Sequence, residues 1–145
     1  MKKVMTFDSF GWVGVVAEHE QQTLLIRFRE IPEAFPRSNY PEHLNILWEM
    51  IEPDENGLAS EEEANRLEAF EDYLVDSVEY DGHSILLVVL TCNGKREFVF
   101  QTSDVPKFMS VLNNSPKELD RFPITIQKFD DPDWGYFESV IPQTS

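Results

Sequence analysis

The chain is short of bases: 12 Lys and Arg stand against 27 Asp and Glu, a formal net charge of −15. Such a balance repels nucleic acid and anionic lipid surfaces, so neither is an expected partner. Cysteine is almost missing. Cys92 alone cannot close an internal disulfide, which fits a reducing cytoplasm. No apolar run approaches the roughly 18 residues of a membrane helix. The opening Met1-Lys2-Lys3-Val4-Met5-Thr6-Phe7 has two lysines, but Asp8 and Ser9 cut off any apolar stretch, so no secretory leader is expected. Repeats and low-complexity tracts are lacking. So are the usual marks of catalysis: there is no GxSxG elbow, no phosphate-cradling Gly loop, and no HxH or HExxH spacing among His19, His43 and His83. A non-catalytic protein without a cofactor is the expectation, with an uncharacterised enzyme as an alternative.

What is present is enough for a core. Apolar residues make up 41% of the chain, with eleven Phe, four Tyr and three Trp among them. That aromatic content argues against disorder despite the charge. At 145 residues, a single domain over 1–145 is the economical reading. It divides into an N-terminal hairpin at about 10–30, a core at about 43–130 and a C-terminal tail at 131–145.

Residues 12–17 and 23–29 read as strands around the polar Glu18–Gln22, a hairpin. In the second strand Leu25, Arg27 and Arg29 alternate with Leu24, Ile26 and Phe28, predicting one wet and one buried face. Pro32, Pro36 and Pro41 punctuate a loop. Residues 44–51 form the next strand and 52–57 a turn. Ser60 with Glu63 makes a capping box for a helix running to about Glu79, and Leu67, Phe70, Leu74 and Val78 give it one apolar stripe. Ile85–Leu90 reads as a central strand, Asn93-Gly94 as a type I′ turn and Glu97–Gln101 as the return strand. Ser103 is positioned to cap a second helix, with Pro106 in its first turn and Pro116 beyond its end. Ile124–Phe129 is a last strand, and the segment 130–137 is a turn with one helical turn after it. The expected class is α+β. Its core is a ferredoxin-like βαββαβ unit with an antiparallel-rich sheet and two helices on one face, extended at an edge by the N-terminal hairpin.

These residues also resemble the bacterial family known as domain of unknown function 695. The resemblance rests on Trp48, on Asn56-Gly57-Leu58 followed by Ser60-Glu61-Glu62-Glu63, on Leu67 and Glu71-Asp72, and on Thr91-x-Asn93-Gly94-x-Arg96-Glu97-Phe98. Asp131-Pro132-x-Trp134-x-x-Phe137 and Pro142 complete it. It implies a fold and no catalytic residues. Some members look joined to a domain similar to regulator B of ribonuclease E activity, an acidic protein-binding inhibitor, and small acidic proteins of this type serve as immunity partners of secreted toxins. Both associations imply binding.

The charge is concentrated. From Glu49 to Asp81 there are thirteen acids and one base, Arg66, a net of −12 in 33 residues. The outward face of the 60–79 helix should carry Glu61, Glu62, Glu68, Asp72, Asp76 and Glu79. Together with Asp54 and Glu55 they form a candidate docking surface for a basic protein, for example a toxin or nuclease; a solvated face is the plainer reading. Loop 52–63 also approaches a calcium-loop register through Glu52, Asp54, Asn56, Leu58 and Glu63, with Gly57 at the turn. A Ca²⁺-binding regulatory module is therefore a further alternative. Asp130, Asp131 and Asp133 form a carboxylate cluster that reads first as a turn. Arg27, Arg29 and Arg37 read as edge charges that deter strand pairing, or as partners for the acidic helix of a second copy.

Overall fold

The computed structural model describes residues 10–114 and 124–141, without the side chain of His19. The first nine residues, Pro116 and Pro142 lie outside the described residues. Strands β1 (Trp12–His19) and β2 (Gln22–Arg29) form a hairpin. Its turn residues, Glu20 and Gln21, hold φ of 48° and 67° without a glycine. β3 spans Glu42–Glu49, and helix α1 spans Glu61–Tyr80. β4 (Ser84–Cys92) and β5 (Lys95–Thr102) flank Asn93 and Gly94, both at positive φ as the Asn-Gly pair predicts. Helix α2 (Val105–Asn113), β6 (Ile124–Asp130) and the short α3 (Gly135–Val140) follow.

The strands make one six-stranded sheet in the order β1-β2-β4-β5-β3-β6, and every neighbouring pair is antiparallel. The fold is α+β, with three α-helices among the described residues: the two predicted, and α3 where a single helical turn was expected. Both sheet faces are covered. On one, the α1 stripe Leu67, Phe70, Leu74 and Val78 packs with Phe108 and Leu112 of α2 onto Leu44, Ile46, Trp48, Phe98 and Phe100. On the other, Phe35, Tyr40, Trp134 and Phe137 pack onto Ile85, Leu87, Val88 and Val99. β4 serves both faces by alternation, which explains its unbroken apolar run, and a register shift between Leu86 and Val88 leaves Leu87 and Val88 on the same face.

Three local expectations need correction. Ser60 does cap α1, its Oγ accepting from Glu63 N at 3.2 Å, but Glu63 does not reach back to complete a capping box. Its carboxylate turns inward and accepts from the Trp48 indole at 2.9 Å and the Ile51 amide at 3.0 Å. At α2 the cap is Asp104, which accepts from Lys107 N at 3.0 Å, while the Ser103 hydroxyl donates to His83 O. The supposed wet face of β2 is covered. Arg27 and Arg29 lie beneath α1, each guanidinium within 4.9 Å of the Trp12 ring centroid.

Candidate functional site

Helix α1 sorts its carboxylates by direction. Glu61, Glu62, Glu68, Asp72 and Asp76 are exposed and form no ion pair with a described residue. Glu79, expected on that face, is instead buried: its Oε2 meets Arg29 Nη1 at 2.5 Å and accepts from Leu86 N at 2.9 Å. Glu71 pairs with Arg27 at 2.6 Å. These arginines therefore bind the acidic helix of their own chain. Their direction follows from the alternation of β2, which turns every second side chain toward α1, and Arg29 alone of the two is buried there. Arg37, the third of the group, pairs with Glu138 at 2.6 Å and lies over the Trp134 ring.

Loop 52–58 is exposed at Glu52, Asp54 and Glu55. The Asp54 carboxylate is turned into its own loop, accepting from Asn56 N at 2.8 Å and Leu58 N at 2.9 Å. Asn56 O accepts from Thr23 N, and Gly57 O accepts from Gly94 N, so the loop is fastened to both hairpins. Glu63, last in the calcium register, points away toward Trp48 and Ile51. Among the described residues no three His, Cys, Asp or Glu are grouped to hold a metal ion.

At the C-terminal end Asp131 holds α3: its carboxylate accepts from Gly135 N at 2.8 Å and Tyr136 N at 3.3 Å. Buried Gln101 donates to Tyr40 O at 2.7 Å and Asp131 O at 3.2 Å, and the Trp134 indole donates to Tyr40 O at 3.0 Å. The Asp131, Trp134 and Phe137 motif is thereby a lock for the C-terminal segment. Asp130 and Asp133 take no part in those bonds.

Sequence reasoning missed a cleft of about 580 Å³ between the outer part of the sheet and α3. Leu44, Ile46 and Trp48 face the helices, so their neighbours His43 and Asn45 face the other way, across from Phe129 and Gln127 of β6. The His43 ring lies 5.2 Å from Phe129 and 4.9 Å from Tyr136, centroid to centroid. The Tyr136 hydroxyl donates to Glu97 Oε1 at 2.7 Å, and burial, reinforced by that bond, pushes its pKa up. Burial lowers the His43 pKa, against the pull of Asp131 and Glu97. His43 Nε2 and Asn45 Oδ1 are buried with no hydrogen-bond partner among the described residues. The signal available in sequence was the polar pair at alternate positions 43 and 45 of a strand that is apolar at 44 and 46–48. His83 also has a buried Nε2 without a hydrogen-bond partner among the described residues, but its Nδ1 lies 2.8 Å from Ser84 Oγ, and that hydroxyl donates to Thr102. Cys92 is a half-buried free thiol at the end of β4. No helix among the described residues is long and apolar enough to cross a membrane.

A family model described as a family of unknown function (DUF695) matches residues 11–140. No curated protein and no solved structure matches the chain.

Proposed function

We propose that this chain, which belongs to the family of unknown function DUF695, is a non-catalytic binding protein that inhibits or neutralises a basic protein partner. The observation that carries the reading is the sorting of charge on α1. Glu63, Glu71 and Glu79 are consumed by partners within the chain, whereas Glu61, Glu62, Glu68, Asp72 and Asp76 stay outside without a counter-ion among the described residues. Like charges at i,i+4, such as Glu68 with Asp72 and Asp72 with Asp76, each cost an isolated helix roughly 0.2–0.5 kcal/mol. A cationic partner would turn that cost into attraction and speed association.

Mechanistically the carboxylates would occupy the places where a cationic site expects phosphates, in the manner of an immunity protein or a regulator. Asp54 and Glu55 extend the surface beyond the N-terminus of α1. The cytoplasm is the proposed setting, supported by the single free thiol of Cys92. For the scaffold we propose a ferredoxin-like core over residues 42–130, supported by the run β3-α1-β4-β5-α2-β6 and by α1 and α2 sharing one face. The β1–β2 hairpin and α3 would then be additions to it.

The test is capture of a native partner by the full chain at low and high salt, followed by association kinetics with that partner. The triple variant Glu68→Lys, Asp72→Lys, Asp76→Lys should lower the association rate by about tenfold or more at low salt. A partner bound equally fast by the variant overturns the reading.

A further inference from the structure

The cleft beneath α3 lies on the sheet face opposite α1, and its chemistry is one-sided. Asn45 Oδ1 and His43 Nε2 are buried without partners among the described residues, and His43 is only 3% exposed. Asp130 and Asp131 line the cleft, with Glu97 behind Tyr136. No Lys or Arg is among its described lining residues. Phe129 and Tyr136 set aromatic surface beside the imidazole.

Three classes of ligand can be weighed against these groups. An anion would meet only negative charge. A neutral apolar molecule would leave the Asn45 oxygen unpaired, at the usual cost of a buried orphan. A planar cation rich in N–H supplies what is missing: donors for Asn45 and for an unprotonated His43 nitrogen, charge opposite the carboxylates, and a face that stacks on the rings. We propose that the cleft lined by His43, Asn45, Gln127, Phe129 and Tyr136 binds a guanidinium group.

Two sources could present that group: a small free guanidine or an arginine side chain of a protein. NMR titration of the full chain at constant ionic strength separates them, with agmatine in one arm and an end-blocked Gly-Arg-Gly peptide in the other. Saturable shifts should appear at His43, the Asn45 side-chain amide and Tyr136. Response to agmatine alone assigns a small ligand, and response to both assigns a presented arginine. Asn45→Leu should weaken binding by about tenfold or more, and Asn45→Asp, which keeps an acceptor, should restore it. Thermal unfolding of both variants confirms that they are folded. The α1 triple variant should bind the probes as the parent does, so this proposal and the docking proposal fail separately. No saturable shift at millimolar probe overturns the assignment. So does an equal response to sodium chloride, undiminished binding by Asn45→Leu, or no rescue by Asn45→Asp.

Discussion

Arg29 is nearly as buried as a core leucine, with its side chain 3% exposed and that of its partner Glu79 5% exposed. A charge at such a depth is tolerated because the carboxylate, the Leu86 carbonyl and the Trp12 ring surround it. Removing one member strands the other. Arg29→Met should lower unfolding free energy by about 3–5 kcal/mol, and the double variant Arg29→Met, Glu79→Leu should recover only part of it, because Leu86 N loses its acceptor, as read by urea denaturation. The Arg27–Glu71 pair is wetter, with the Arg27 side chain 38% exposed, and its loss should cost about 1 kcal/mol or less. Neither pair was legible in sequence. Arg29 and Glu79 are 50 positions apart, and a strand's alternation says which residues share a face but not what covers that face.

At the level of elements, local chemistry was the legible part. The α1 stripe, the Ser60 cap and the Asn93-Gly94 turn depend on neighbours within a few residues, and each is found where the sequence places it. Direction was not legible. Glu63 fits a capping box by spacing, yet a buried indole and a strand-end amide compete for its carboxylate and win. His43 was read only as an isolated histidine and Asn45 not singled out, because only the β3–β6 pairing and α3 make a cleft of them. The Asn56-Gly57-Leu58 motif gains a physical cause: Gly57 holds φ of +80°, and a Cβ there would lie 2.9 Å from the Asn93 backbone. Gly57→Ala should therefore cost about 2 kcal/mol or more. Gly82→Ala is the comparison. It has φ of +71° but open space around it, so about 1 kcal/mol is expected for the backbone alone. Paired thermal melts check the difference.

For the whole molecule, a sheet covered on both faces buries groups that titrate near neutrality. His43 and His83 both have pKa values lowered from 6.5, chiefly by burial. Since the folded values lie below the unfolded one, the unfolded chain binds protons first. The stability these residues contribute is complete above about pH 6.5 and is lost as pH falls through the folded values. Acidification also relieves self-repulsion in a chain of net charge −15, so the diagnostic is a difference. Between about pH 7.5 and about pH 5, His43→Phe, which keeps the ring stack, should lose less stability than the parent in parallel melts. The inward carboxylate at the start of α1 bears on motion as well as position. Glu63 holds the Trp48 indole proton and the Ile51 amide proton on one side chain. Exchange of both with solvent is then gated by one event, the lifting of the first turn of α1, so in deuterium oxide the two should show one protection factor, which reports how often the helix end comes free of the sheet.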